Sequence, residues 1–371
     1  MGMRGSAGRA LGRTLCLALT LALFTSGCSD AGDSTTHQQN TSTAIATPIP
    51  HDGLRADAPA RLTIGTAVSA DADALADPGY QRALAENFSS VTPEVQMKWS
   101  VVEPERAQYD YSAADALVQM ARANGQIVRG HTLLWYGALP EWVSGAITNC
   151  PDAKSVLQEH ISNEVSHFRG QVAQWDVANE VLGNDGAPRQ ENPFIKACGL
   201  GIVADAFRWA HAADPNAKLY LNDYDQLTPG AKADAQYALV KSLVDQGVPI
   251  NGVGFQAHET LTSIPQTAAG QLQRYASLGL DVAITEADVR IRATGNPSTE
   301  SLRNQAMVYR QLVGLCLAQP RCTNFTVWGF SDRWSWVPGS LPGQGWACLL
   351  DASLDPKPAY IAVRQALLSD R

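Results

Sequence analysis

Two glutamates, Glu180 and Glu286, each end a β-rich run, in Trp175-Asp-Val-Ala-Asn-Glu180 and Ile284-Thr-Glu-Ala-Asp288. Two carboxyls facing each other across a cleft can divide one reaction between them. One, protonated, gives its proton to a departing oxygen; the other, ionised, attacks or stabilises the carbon left behind, as the hydrolysis of a glycosidic bond requires. Either glutamate alone would read equally well as the cap of a following helix. Other run ends are polar and aromatic: Thr92-Pro-Glu94-Val-Gln-Met-Lys98-Trp99, Gly130-His131-Thr-Leu-Leu-Trp135, Asn222-Asp-Tyr224, Gln256-Ala-His258 and Trp328-Gly. A pyranose has an apolar C–H face that stacks on an indole while its hydroxyls seek polar neighbours. Trp135, Trp328 and Trp336, near Asn179, Gln256 and Lys98, fit that need, although each tryptophan alone reads as core. His131 and His258 fall at run ends, whereas His160, His167 and His211 lie on helical stretches as packing or surface residues. No H-x-H or H-E-x-x-H spacing calls for a metal, and no cofactor is expected.

The elements that must position these groups are short β-rich runs alternating with amphipathic helical stretches, the pattern of parallel strands joined by crossover helices. The runs are Leu62 to Val68, Phe88 to Thr92, Gln126 to His131, Val172 to Val177, Lys218 to Asn222, Gly252 to His258, Asp281 to Thr285 and Thr323 to Gly329. Helical stretches between them include Ser112 to Asn124, Lys154 to Phe168, Ile202 to Ala213, Pro229 to Gln246, Ile264 to Leu278 and Glu300 to Leu317. Asn124-Gly125 and Gln246-Gly247 read as helix stops, and Asp214-Pro215 cannot continue one. This predicts a (β/α)₈ barrel as a single catalytic domain over residues 61–371, with its site at the C-terminal ends of the strands. An open doubly wound sheet is the alternative, but Ile64-Gly65-Thr66-Ala67 lacks the Gly-rich phosphate turn expected after its first strand.

At these residues the sequence resembles glycoside hydrolase family 10, the endo-β-1,4-xylanases. The W-D-V-x-N-E and I-T-E-x-D motifs stand around Glu180 and Glu286. Gly130-His-Thr-Leu-Leu-Trp135, Leu221-Asn-Asp-Tyr224, Val253-Gly-Phe-Gln-Ala-His258, Thr326-Val-Trp-Gly329 and Ser335-Trp336 match in order and spacing, and the resemblance covers nearly all of residues 61–371. It implies that Glu180 is the acid/base and Glu286 the nucleophile of a retaining double displacement, with Asn179 on the 2-hydroxyl of the sugar being cleaved. His258 would hydrogen-bond Glu286 and be oriented by Asp288, which fixes its tautomer. Glu94, Lys98, His131 and Gln256 would bind glycone hydroxyls, with Trp328 and Trp336 stacking, Trp135 beside them, and Tyr224 towards the aglycone. The chain departs from the family where Val95 replaces an asparagine and Tyr136-Gly137-Ala138 replaces His-Ser-Gln, so two polar contacts to the distal glycone sugar are not carried over.

Composition narrows the remaining readings. The 371 residues carry a formal net charge of -8, without a Lys/Arg run dense enough to track a phosphate backbone, so nucleic acid is not an expected partner. Arg4, Arg9 and Arg13 followed by the apolar stretch Leu15 to Phe24 read as a secretory signal over residues 1–28, too short for a membrane span of roughly 20 residues. Cys28 after Ser26-Gly27 resembles a bacterial lipobox, with Thr25 where an aliphatic residue is usual. It is the expected lipidation site, and would leave the protein exported and held at a membrane surface or secreted. Residues 29–60, polar and Ser/Thr/Pro-rich, read as a disordered tether. Export permits disulfides. Cys316 and Cys322, flanking Leu-Ala-Gln-Pro-Arg, are the first expected pair and Cys150 with Cys198 the second, with one of Cys150, Cys198 and Cys348 left unpaired. A monomer acting on xylan or xylo-oligosaccharides is expected. The rivals are the same machinery on another β-1,4-glycan and a surface lipoprotein that binds glycan without cutting it, which would need no carboxyl pair.

Overall fold

The computed structural model of the protein describes residues 53–69 and 71–370. Its strands are β1 (Thr63–Val68), β2 (Ser90–Pro93), β3 (Ile127–Leu134), β4 (Gln174–Asn179), β5 (Lys218–Asp223), β6 (Gly252–Phe255), β7 (Asp281–Val289) and β8 (Cys322–Val327). Each pairs in parallel with the next, and β8 pairs with β1, closing a (β/α)₈ barrel without edges. The strands are buried on both faces, inward against one another and outward against the helices, which is why they read as apolar runs rather than alternating ones.

The principal outer helices are α1 (Pro78–Asn87), α2 (Ser112–Ala123), α3 (Cys150–His167), α4 (Gly201–Ala213), α5 (Ala231–Asp245), α6 (Ala268–Ala276), α7 (Thr299–Ala318) and α8 (Pro358–Ser369). Local chemistry starts and stops them. The Asp77 carboxylate accepts from Tyr80 N with Pro78 leading α1, and Asn149 caps α3 by accepting from Asp152 N. Past α2 and α5, Gly125 and Gly247 take φ of 63° and 66°, the left-handed turn that glycine permits.

Three expectations need correction. The sixth run is not one strand to His258: β6 stops at Phe255, and His258–Glu259 pairs separately with Asp288 and Val289. The seventh does not stop at Thr285; β7 continues to Val289 and carries Glu286 and Asp288 within it. The tether does not run to Ala60, because Leu54–Asp57 is a helical turn with Leu54 fully buried. Arg55 beside it donates to the carbonyls of Ala85, Asn124 and Gly125, each at 3.1 Å. Leu54, Arg55 and the buried Asp57, whose carboxylate accepts from Arg364 Nε at 2.6 Å, dock this segment, too few to alter the composition of the stretch. The signal, Cys28 and the remainder of the tether lie outside the described residues. Among the described residues no helix is long and apolar enough to cross a membrane.

Both expected disulfides form, Cys316–Cys322 and Cys150–Cys198, and Cys348 is a buried thiol. The first joins the end of α7 to the start of β8, the second the start of α3 to the short helix Pro193–Cys198.

Candidate active site

At the C-terminal mouth of the barrel lies a cavity of about 600 Å³. Glu94, Lys98, His131, Trp135, Asn179, Glu180, Tyr224, Gln256, His258, Glu286, Trp328 and Trp336 all line it, so the barrel brings together every expected substrate-facing residue. Asp288 stands behind His258.

Glu286, within β7 and 4% exposed, has both carboxylate oxygens engaged. Oε1 accepts from Asn222 Nδ2 at 2.6 Å, and Oε2 accepts from His258 Nε2 at 3.1 Å. Burial alone would raise its pKa, but the His258 hydrogen bond and the charges of His131 and His258 prevail and hold it below the ordinary carboxylate value. His258 sits between two acids, with Nδ1 on Asp288 Oδ2 at 2.8 Å. Burial works against its charge, yet Asp288 and Glu286 together push its pKa up to about 10. Both ring nitrogens thus meet carboxylates, Nε2 facing Glu286 and Nδ1 facing Asp288, an arrangement that favours the protonated ring. Trp336 Nε1 also donates to Asp288 Oδ2, at 2.9 Å, which ties the indole to the same acid.

Glu180 follows directly on β4 with φ 53°, a left-handed backbone that costs a non-glycine residue about 1–3 kcal/mol. Its N–H donates to Asn222 O at 3.0 Å. Its Oε1 accepts from Gln256 Nε2 at 3.2 Å and Asn179 Nδ2 at 3.3 Å. Asn222, at the end of β5, joins the two acids: its Nδ2 bonds both Asn179 Oδ1 and Glu286 Oε1, while its Oδ1 accepts from Thr285 at 2.7 Å. A Cβ on Gly254 of the next strand would collide with that Oδ1, so the neighbour must be glycine.

On the glycone side, Lys98 Nζ lies 4.3 Å from the centre of the Trp135 ring. Burial lowers the Lys98 pKa to about 8, against the pull of Glu286, Glu180, Asp176 and Glu94. Burial likewise raises Glu94 to about 7, with Lys98 opposing. His131 Nδ1 meets Asp176 Oδ2 at 2.9 Å, and Arg129 forks onto the same carboxylate. Burial of Asp176 is outweighed by Arg129 and His131, which bring its pKa down to about 2. The His131 ring stands edge-on to Trp328, 5.2 Å between centres. His131 and His258 thus each spend Nδ1 on an aspartate, and among the described residues no His, Cys, Asp and Glu group is arranged to hold a metal.

Several functional neighbours carry no role in the sequence reading. Asn222 stands at a run end and Asp176 inside the W-D-V-x-N-E motif, where neither residue type nor spacing marks a role. Arg129 had a usable signal, a lone charge within an apolar run. Arg189 and Arg290 had none, since their loops show no periodicity. Of the departures, Val95 is 38% exposed and lines the cavity, as does Ala138. Gly137 lies beneath the Trp135 ring, where a Cβ would meet its carbons at 2.6–2.8 Å.

Comparison with known proteins agrees with this geometry. The sequence model of the family described as Glycosyl hydrolase family 10 matches residues 53–366. Endo-1,4-beta-xylanase 5 of Pyricularia oryzae is 41% identical over 310 residues, 82% of this chain and 76% of that protein. The endo-1,4-beta-xylanase of Agaricus bisporus is 42% identical over 298 residues, 80% of this chain and 88% of that one. Native xylanase 10B from Thermotoga maritima superposes with a TM-score of 0.82 at 38% identity, covering 86% of this chain and all of the other. Xylanase 10B from Thermotoga petrophila, solved with xylobiose, gives 0.81 at 37% identity over 85% of this chain and 97% of its own. A matched stretch that begins at the docked Gly53 turn and ends inside α8 encloses the whole barrel and its mouth, and the protein belongs to glycosyl hydrolase family 10.

Proposed function

We propose that the protein is an endo-1,4-β-xylanase that cleaves the xylan backbone by double displacement with net retention of anomeric configuration. The observation that carries this reading is the environment of Glu286, an ionised carboxylate held by Asn222 and the His258 imidazolium at the mouth that Glu180 also faces. Glu286 attacks the anomeric carbon as Glu180 gives its proton to the leaving oxygen. The attacking Glu286 carboxylate carries a negative charge. When the glycosyl ester forms, that charge disappears, and Glu180 can take a proton from the water that hydrolyses the ester.

Asn179 is assigned to the 2-hydroxyl of the reacting sugar, and Lys98, His131, Glu94 and Gln256 to glycone hydroxyls. Trp328 and Trp336 stack, with Trp135 flanking, and Tyr224 faces the aglycone. The relatives named endo-1,4-beta-xylanase and the neighbour solved with xylobiose support xylan as the polymer.

Incubation with unbranched xylan and with cellulose, followed by chromatography, tests the substrate; short xylo-oligosaccharides from the first alone are expected. NMR of the first anomer formed should show β. An α-anomer appearing first would remove Glu286 as nucleophile, and cello-oligosaccharides in comparable yield would replace xylan by a wider class of β-1,4-glycans.

For location, we read residues 1–28 as an export signal and Cys28 as the site of a lipid anchor. The disulfides fit an oxidising compartment. Mass spectrometry of the mature N-terminal peptide should find a diacylglyceryl cysteine at Cys28; a mature chain starting elsewhere would leave the protein secreted without an anchor.

A further inference from the structure

The backbone of Glu180 is held in an unfavourable conformation, and a single buried arginine accounts for much of how it is held. Arg189 lies at the far end of the loop after β4 and is 8% exposed. Its Nε donates to the carbonyl of Glu180 at 2.7 Å, and one Nη donates to the carbonyl of Leu182 at 2.8 Å and to the hydroxyl of Tyr224 at 2.7 Å. The guanidinium carbon lies over the Tyr136 ring, 4.5 Å from its centre, and 5.8 Å from the centre of the Tyr224 ring. Its own N–H donates to Val181 O at 3.0 Å, and Leu182 bridges Pro188, so the loop folds back on itself around this side chain.

The Glu180 peptide is thereby gripped at both ends, its N–H by Asn222 O from β5 and its C=O by Arg189. A planar fork with several donors can hold two successive carbonyls and a phenol at once, which an ammonium cannot do with the same geometry. The left-handed φ of 53° at Glu180 persists because surrounding bonds over-determine it. Tyr224, the third partner, lines the cavity.

We propose that Arg189 is a positioning residue: it fixes the backbone that aims the Glu180 carboxyl at the glycosidic oxygen and ties that aim to Tyr224 beside the leaving group. This rests on the acid/base reading of Glu180 given above. Arg189 touches neither substrate nor the reacting atoms in this account; it acts through the Glu180 carbonyl. Tyr136 takes part because its ring packs the guanidinium in place, at a position where the family pattern has histidine.

The test compares Arg189→Met, Arg189→Lys and Tyr224→Phe with wild type and with Glu180→Ala, on two substrates. One is 2,4-dinitrophenyl β-xylobioside, whose leaving group departs without a proton; the other is xylotetraose, whose leaving group needs one. Misplacing a catalytic group by an ångström costs about 100-fold, so Arg189→Met should lower kcat/KM on xylotetraose about 10- to 100-fold. On the activated xylobioside its kcat/KM should stay within about threefold of wild type, because no proton is needed in that step, while kcat falls as base-assisted deglycosylation slows. Arg189→Lys should recover part of the xylotetraose loss. Tyr224→Phe, which leaves the Glu180 carbonyl bond in place and removes an aglycone-facing hydroxyl, is the control for aglycone binding: its loss on xylotetraose should lie mainly in KM, whereas the loss from Arg189→Met should lie mainly in kcat. Equal loss on both substrates from Arg189→Met, a loss confined to KM as in Tyr224→Phe, or no loss at all overturns the proposal. Glu180→Ala separates this from a failure of the underlying reading: if that variant does not discriminate between the substrates, the acid/base assignment itself is wrong.

Discussion

At Val95 an isopropyl group stands beside Glu94 and Lys98 in the cavity wall, at the position where the family resemblance implies an asparagine. Because Val95 is 38% exposed, asparagine there would not be buried without a partner. A hydrogen bond nets about 0.5–1.5 kcal/mol and about 1.4 kcal/mol is a factor of ten, so Val95→Asn should raise kcat/KM on xylotriose about two- to tenfold. An aryl xyloside, which has no sugar at that position, should gain almost nothing; unchanged activity on xylotriose would take Val95 out of the binding surface. His258 allows a second residue-level expectation. Its pKa rises from 6.5 to about 10 on folding, burial notwithstanding, because Asp288 and Glu286 hold its charge. The folded state therefore binds more protons than the unfolded state between those values, and the stabilisation is full below pH 6.5, shrinks through the interval and is gone above about 10. Urea unfolding of wild type and His258→Gln across that range cancels the titrating groups that do not contact the ring. The gap between them should narrow as pH rises, and a gap that widens would show that the ring is not the cation inferred.

The loops and helix ends are where the elements are fastened, and the two disulfides differ in what they fasten. Cys150–Cys198 closes a separation of 48 residues, across β4 and its loop, whereas Cys316–Cys322 closes only 6. In the chain-entropy account the longer loop contributes about 4 kcal/mol and the shorter about 2. The Cys150→Ala/Cys198→Ala double variant should accordingly lose more stability in urea than Cys316→Ala/Cys322→Ala, measured on the oxidised proteins; the reverse order would point to strain or residual unfolded structure in place of loop entropy. At the same scale, the strands are legible in the sequence but their ends near the site are not. Periodicity reports burial, and at the barrel mouth burial no longer coincides with strand pairing. Glu286 and Asp288 are polar, buried and still within β7, so a rule that ends strands at polar residues stops at Thr285. The break between Phe255 and His258 was hidden for the converse reason, since both flanking pieces are extended.

For the molecule as a whole, the domain begins before its first strand. Leu54 is fully buried and Arg55 bonds three carbonyls in α1 and the turn after α2. A chain starting at Arg61 should be about 2–5 kcal/mol less stable than one starting at Gly53, the range for deleting a buried leucine, with the arginine bonds adding to it. Equal melting temperatures for the two would show that the turn is docked without contributing. Alternation of strands and helices, glycine stops and the residues at the strand ends were all present in one dimension, and they were enough to determine the barrel, the carboxyl pair and the family resemblance. What they could not determine was the state of those carboxyls. Glu286 is held ionised by Asn222, which is 64 positions away, and by His258, whose own charge depends on Asp288 and whose surroundings are closed by Trp336. Hydrogen bonds and pKa values depend on distances of about 3 Å between atoms, and only closing the barrel sets such distances between residues so far apart along the chain. The same reason kept Arg189 out of sight: its sequence position lies in an irregular loop, and its meaning comes from the Glu180 carbonyl and the Tyr224 hydroxyl that the fold brings to it.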